Sequence, residues 1–134
     1  MRRGFTLVEI MIVVAIIALL AAIAIPNLLS ARRAANEASA KANVRTLVTE
    51  LETFVSGMGD GAYPANVAAF QAAPSAAATK YCSTPCNAAA GCGGYTYTCT
   101  VATTGYNITA APISPQAGTK TYRGGSGAQF TETP

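Results

Sequence analysis

The sequence predicts an α+β protein in which a long N-terminal α-helix packs against a small antiparallel β-sheet head. Seventeen of the 30 Ile, Leu, Val, Met and Phe residues fall within the first 29 of 134 positions. Eleven of the twelve glycines and six of the seven prolines follow Ser56. Few helix breakers before that point and many after it indicate a helical first half and a turn-rich second half. We expect a thin core in the head, because only seven large apolar residues occur from Gly57 to Pro134.

The first element is the uncharged apolar segment Ile10–Ile25, which Leu28 and Leu29 continue. The 20 residues from 10 to 29 would form a helix about 30 Å long, enough to cross the core of a bilayer. The basic residues ahead of it favour a cytoplasmic N-terminus. The run is too long for a typical cleaved secretory signal, while a plain signal anchor remains an alternative.

The residues ahead of the apolar segment form a specific motif. Gly4 and Phe5 are followed by Glu9, the fifth residue counted from Phe5, and this run resembles the processing site of type IV prepilins. The resemblance implies that a prepilin peptidase and methyltransferase cuts after Gly4 and methylates Phe5. It also implies that Glu9 guides assembly and that Pro26 loosens the helix. The chain departs from many relatives at Ala18, where they have a glycine.

Two contacts suit the carboxylate of Glu9. Thr6 and Glu9 have the spacing of a capping box at a helix N-terminus. Cleavage after Gly4 would also create an α-amine at Phe5, a cationic partner for a carboxylate that is costly beside a membrane span. That amine can belong to the same chain or to a neighbouring subunit, and the resemblance implies the neighbour. Pro26 separately predicts an irregularity in the turn before it, either within one helix or between two helices.

The helix is predicted to continue from residue 30 to residue 56 as an amphipathic segment. Its apolar residues recur at three- and four-residue steps, and they are small at first and large from Leu47 onward. Arg33, Glu37 and Lys41 have the spacing of two i,i+4 ion pairs. We expect the large residues of the stripe to carry the core of the head. The stripe comprises Ala31, Ala34, Ala35, Ala38, Ala42, Leu47, Val48, Leu51, Phe54 and Val55.

The head is predicted to contain one short helix and a small antiparallel sheet. The helix is expected in the alanine-rich segment 65–78, and a glycine-rich turn is expected at 124–127. We expect one face of the sheet to be rich in threonine and solvated, because the helix can cover only the other face. Alternation and turn residues predict the strands Tyr95–Val101, Tyr106–Ala110, Thr119–Tyr122 and Ala128–Thr131.

Four cysteines lie close together in the head, namely Cys82, Cys86, Cys92 and Cys99. The spacing of zinc sites is absent and the chain has no His, which disfavours a metal site. A segment exported across the membrane meets an oxidising compartment, where disulfides persist. Three pairings are open. We favour Cys82–Cys99 with Cys86–Cys92, which nests a small loop inside a larger one.

Several classes of function are disfavoured by the composition. No nucleophile–base pair, paired catalytic carboxylates or phosphate-binding loop stands out, so we expect neither an enzyme nor a bound cofactor. The formal charge of +3 is too small to indicate nucleic-acid binding by itself. The three cations of the head are interpreted as solvated side chains; they are Lys80, Lys120 and Arg123.

The sequence is therefore interpreted as the structural subunit of a type IV pilus-like filament. The resemblance implies a precursor in the inner membrane, lipid and an inner-membrane assembly machinery as partners, and an extracellular homopolymer that serves adhesion, motility or DNA uptake. A type II secretion pseudopilin is one alternative, and a signal-anchored monomeric surface binding domain is another. The expected organisation is a leader at 1–4, a membrane and filament-core helix at 5–29, an amphipathic continuation at 30–56 and a head at 57–134.

Overall fold

The computed structural model describes residues 4–74, 76–83, 86 and 91–134. Their contacts divide the chain into two compact units, Met1–Arg32 and Arg33–Pro134. A long helix precedes two short helices and an antiparallel sheet, which confirms the predicted α+β class. The elements are α1 (Leu7–Gly57), α2 (Val67–Ala72), α3 (Ala76–Tyr81), β1 (Tyr95–Ala102), β2 (Gly105–Pro112), β3 (Thr121–Gly125) and β4 (Gln129–Thr133).

Helix α1 continues through Pro26 without interruption. The interpretation that Pro26 lies within one helix is therefore correct. The interpretation that it separates two helices is wrong. Proline removes only one backbone hydrogen bond from a helix, and local side chains add others beside it. Asn27 Nδ2 donates to the carbonyl of Ile23 at 3.1 Å, and Ser30 Oγ donates to the carbonyl of Asn27 at 3.1 Å. Neither bond replaces the one that Pro26 removes, whose acceptor would be the carbonyl of Ala22, so the helix tolerates this single loss.

The core of the second unit lies between α1 and one face of the sheet. The buried residues of α1 recur at helical spacing, so that one side of the helix faces the sheet. The part of the predicted stripe that has large side chains is confirmed as core from Leu47 to Leu51. The five alanines of the stripe, from Ala31 to Ala42, are instead exposed. The buried α1 residues are Ala40, Val44, Leu47, Val48 and Leu51.

Tyrosines fill much of the space that aliphatic residues leave in this core. Tyr95 and Tyr97 are the largest fully buried side chains. Burial raises the pKa of the Tyr97 hydroxyl. Burial, followed by the charge of Glu37, raises the pKa of Tyr95 to about 12. The prediction of a thin core was wrong to this extent, because it counted aliphatic residues and phenylalanine but not tyrosine.

The sheet is an antiparallel meander in the order β1-β2-β3-β4, as the sequence predicted. Several bounds differ from the prediction, since β2 begins at Gly105 instead of Tyr106 and β3 begins at Thr121 instead of Thr119. A second short helix, α3, follows α2, and β3 includes Gly124 and Gly125 where a turn was expected. Gly124 faces α1, and a Cβ atom built there would collide with the side chain of Val48. Glycine at this position therefore allows the strand to approach the helix closely.

The two i,i+4 ion pairs predicted on α1 are absent from the part of the chain that the structure describes. Glu37 instead accepts hydrogen bonds from the backbone N–H and the hydroxyl of Thr119, at 2.9 and 3.1 Å. Lys41 pairs with Glu132 at 2.9 Å, and Lys120 pairs with the same carboxylate at 2.6 Å. The prediction was wrong because Thr119, which precedes β3, and Glu132 of β4 compete successfully for the charges of the helix.

Candidate functional site

The N-terminal motif lies at the exposed start of α1. Gly4 and Phe5 precede the helix and are exposed, and Phe5 is 85% accessible. Thr6 is the residue before the first helical position. The hydroxyl and the backbone N–H of Thr6 donate to Glu9 Oε2 at 2.6 and 2.8 Å, and the backbone N–H of Glu9 donates to Thr6 Oγ1 at 3.3 Å. The predicted capping box is thereby confirmed, because each residue satisfies a free donor of the other.

The remaining leader residues, 1–3, lie outside the described residues. Gly4 therefore marks the start of the described motif, and its surroundings are open, since a Cβ atom built there would meet nothing within 4 Å. The segment ahead of the capped helix is therefore exposed and has no regular secondary structure.

The helix that follows the motif presents apolar side chains on every side. Every large hydrophobic residue from Phe5 to Leu29 is exposed within the isolated chain. Among the described residues, α1 is the one helix long and apolar enough to cross a membrane. A helix that is apolar all round is stable only in lipid or against other protein surfaces.

Pro26 and Ala18 also lie in the exposed part of α1. Pro26 is about 25 Å beyond Glu9 along the helix at roughly 1.5 Å per residue. The predicted residues Gly4, Phe5, Glu9 and Pro26 therefore follow one another along the start and the first half of α1.

The four cysteines of the head form two disulfides. Cys82 at the end of α3 is bonded to Cys99 on β1, with Cα atoms 5.5 Å apart. Cys86 is bonded to Cys92, with Cα atoms 4.9 Å apart. The structure thus has the nested pairing that the sequence analysis favoured. The outer bond ties the short α3 to the sheet.

A carboxylate that the sequence analysis did not single out joins four parts of the head. Glu52 Oε1 accepts hydrogen bonds from the hydroxyls of Tyr106 at 2.8 Å and Tyr63 at 3.2 Å. It also accepts from the backbone N–H groups of Gly127 and Ala128, both at 3.0 Å. Burial acts to raise the pKa of Glu52, but the donors, led by Ala128 N–H and Tyr106, outweigh it and hold the pKa below the ordinary value. The partners lie 11 to 76 residues away, so no local spacing could have revealed this site.

Comparisons with known proteins found a family model and curated relatives. A family model described as the prokaryotic N-terminal methylation motif matches residues 1–25. The chain is 52% identical over 55 residues to the type IV major pilin protein PilA of Myxococcus xanthus, covering 41% of this chain and 25% of that protein. It is 45% identical over 67 residues to the type IV wide pilus major component PilA4 of Thermus thermophilus, covering 50% of each.

The aligned part of this chain thus spans about a quarter of one of these curated relatives and half of the other. No solved structure matches the chain significantly. Each aligned stretch is longer than the 25 residues that the family model matches. The chain therefore carries the prokaryotic N-terminal methylation motif, and the predicted resemblance to type IV prepilins is confirmed.

Proposed function

We propose that the protein is a structural subunit of a type IV pilus-like filament. The observation that carries this proposal is the methylation motif placed directly ahead of an apolar helix, whose large hydrophobic side chains from Phe5 to Leu29 are all exposed. Both relatives are named as pilus components. The residues 1–4 act as the leader, 5–29 as the membrane and filament-core helix, 30–56 as its continuation, and 57–134 as the head that coats the filament.

The physical basis of assembly is a transfer between two apolar environments. Burial of apolar surface is favourable by about 25 cal/mol per Å², so exposure of this helix to water is costly at every stage. Lipid covers it in the precursor, and the helices of neighbouring subunits cover it in the filament. The inner membrane and the assembly machinery within it are therefore the partners of the precursor, and copies of the same chain are the partners of the mature subunit.

Gly4, Phe5 and Glu9 act in succession in this scheme. A prepilin peptidase cuts after Gly4, and methylation follows on the new amine of Phe5. The carboxylate of Glu9 then exchanges its Thr6 contacts for the amine of a neighbouring subunit, which positions the incoming chain. Pro26 lowers the number of backbone hydrogen bonds in the middle of the apolar helix and lets the helix adjust as it packs.

Mass spectrometry of sheared surface filaments tests the proposal. We expect a chain that begins with N-methylated Phe5, found in the filament fraction. An intact chain found only in the membrane would instead indicate an anchored monomer. A processed chain that never reaches surface filaments, and whose deletion stops protein secretion, would indicate a secretion pseudopilus. Either result would overturn the proposal.

Variants of the capping box separate the two roles of Glu9. Glu9→Gln keeps a capping side chain but removes the charge, whereas Thr6→Ala keeps the charge and removes the hydroxyl of the cap. We expect Glu9→Gln and Glu9→Ala to insert and be processed normally but to reduce filament yield at least tenfold. Thr6→Ala should still assemble. Normal filaments from Glu9→Gln, with loss of filaments from Thr6→Ala, would show that Glu9 serves only to cap the helix.

A further inference from the structure

The face of the sheet that points away from α1 carries two parallel rows of polar residues in register. Each row runs across all four strands, and the second row is displaced from the first by two residues along each strand. Arg123 is the only charged member, and there is no aromatic side chain in either row. The first row is Thr98, Thr109, Arg123 and Thr131, and the second is Thr100, Asn107, Gly125 and Gln129.

Gly125 leaves a gap in the second row. The gap is a shallow cavity of about 160 Å³, with Asn107 and Gln129 on opposite sides and Arg123 and Thr131 next to it. Neither the backbone nor the packing requires glycine here. No left-handed φ is recorded for Gly125, and a Cβ atom built there would be no closer than 3.9 Å to its neighbours. The adjacent Gly124, by contrast, is required by its contact with α1.

The polar groups around the cavity are free to bind a ligand. Arg123 is exposed, and within the described part of the chain it has no hydrogen bond or ion pair. Asn107 Oδ1 accepts a hydrogen bond from the hydroxyl of Thr109 at 3.2 Å. That bond orients the Asn107 amide so that its NH₂ group remains as a donor. The head contains two acidic residues, of which Glu132 pairs with Lys41 and Lys120 and Asp60 lies in the turn that follows α1.

We propose that this cavity, defined here as the Gly125 cleft, is a binding subsite for a carboxylate-bearing sugar unit of an acidic polysaccharide. A guanidinium group binds a carboxylate through two parallel hydrogen bonds. The amides of Asn107 and Gln129 and the hydroxyl of Thr131 suit the hydroxyl groups of the sugar ring. The cleft has room for roughly five water molecules at about 30 Å³ each. This space suits the carboxylate and neighbouring hydroxyl groups of one sugar ring and is too small for a larger cofactor.

Other occupants fit the cleft less well. Nucleic acid is bound through several cations and through aromatic stacking, whereas this face has one cation and no aromatic ring in either row. A second copy of the chain would need apolar surface in the centre of the contact, and the rows contain no large apolar side chain. The polar rows continue from the cleft across β2 and β1, where they offer further hydroxyl and amide groups to a chain of sugar rings.

The test uses the full chain in detergent micelles, with backbone amide NMR shifts as the readout. The probe is a trimer of galacturonate, compared with the neutral galactose trimer, with sulfate and with a short DNA duplex. We expect the galacturonate trimer to shift the amides of residues 123–131. Arg123→Gln should weaken binding at least tenfold, as expected for loss of a charge-assisted pair. Gly125→Val should do the same by filling the cleft, with the fold retained.

Lys80→Gln is the matched control, because it removes the same charge from another element. It should leave the affinity unchanged within twofold. Equal binding of the neutral trimer, equal loss of binding in Lys80→Gln, or unchanged binding in Gly125→Val would overturn the proposal. Tighter binding of DNA, or shifts with sulfate alone that match those with the trimer, would also overturn it and reassign the cleft to phosphate or to small anions. The proposal concerns the head alone and does not depend on filament formation.

Discussion

Glu52 gives the sharpest test of how the head is held together. Its carboxylate links α1 to β2 through Tyr106, to the segment after α1 through Tyr63, and to the turn between β3 and β4 through Gly127 and Ala128. The perturbations are Glu52→Ala, Glu52→Gln and Tyr106→Phe. We expect Glu52→Ala to lower the free energy of unfolding of the head the most.

The magnitude follows from which donors are left without a partner. Tyr106 is only 7% accessible, and a buried donor that loses its partner costs about 1–3 kcal/mol. The other donors are more exposed and can turn to water, so each adds little. We therefore expect about 2–3 kcal/mol for Glu52→Ala. Glu52→Gln should cost about 1 kcal/mol, because its carbonyl oxygen still accepts a hydrogen bond but lacks the charge.

Near-UV circular dichroism during urea unfolding measures this effect in the full chain in micelles. All six tyrosines follow Gly57, so the signal reports the head and is insensitive to the apolar helix. In the double variant of Glu52→Ala with Tyr106→Phe, we expect the losses to be non-additive by at least 1 kcal/mol, since both changes remove the same bond. Additive losses, or a loss below about 0.5 kcal/mol for Glu52→Ala, would refute the reasoning.

The pH dependence supplies a second readout. The pKa of Glu52 is lowered in the folded head, so its contribution is complete above the ordinary carboxyl pKa and is lost as the pH falls through the folded value. Glu132 acts in the same direction, because hydrogen bonds from Lys120 and Lys41 lower its pKa to about 2. We therefore expect the head to lose stability below about pH 4.5. Glu52→Gln should reduce the slope of that loss, while Glu132→Gln reduces it at the lowest pH values.

Two other substitutions test the packing of the sheet. Gly124→Ala should destabilise the head by about 1–3 kcal/mol through collision with Val48, whereas Gly125→Ala should change the stability by less than about 0.5 kcal/mol; equal effects in urea unfolding would refute the close approach of β3 to α1. Replacing both Cys82 and Cys99 by Ala should lower the free energy of unfolding by about 3 kcal/mol, because the unfolded chain gains entropy. If this loss is smaller than the loss from replacing Cys86 and Cys92, the result would contradict the nested arrangement.

The features that the sequence predicted correctly depend on local spacing. The capping box of Thr6 and Glu9 and the length of α1 follow from helical periodicity and from the position of the first glycines. The meander follows from alternation along β1 and from the turn after it. Each of these signals lies within a few residues of the structure that it specifies.

The features that the sequence did not predict depend on distant partners. Helix α3 has only six residues, and it is held by its packing against α2 and by the bond from Gln71 Nε2 to the carbonyl of Cys82 at 2.9 Å. The partner of Glu37 is Thr119, 82 residues away. The Gly125 cleft arises only from the register of three strands. No local pattern records such pairings, because they are set by how the whole sheet lies on the helix.

The polar partners of the buried tyrosines explain why the sheet lies on α1 in one arrangement. Apolar residues such as Leu47 and Leu51 would pack against several positions of a sliding sheet. Asn43 Nδ2 donates to the Tyr97 hydroxyl at 2.9 Å, and Glu52 accepts from Tyr106. These two helix residues are about 13 Å apart along the axis. A shift of the sheet by one residue along α1 would place it against a helix face rotated by about 100°. Asn43 and Glu52 would then no longer face their partners, and the buried hydroxyls of Tyr97 and Tyr106 would be left unpaired. Burial therefore supplies the stability of the head, and the hydroxyls of the buried tyrosines fix the register between the sheet and α1.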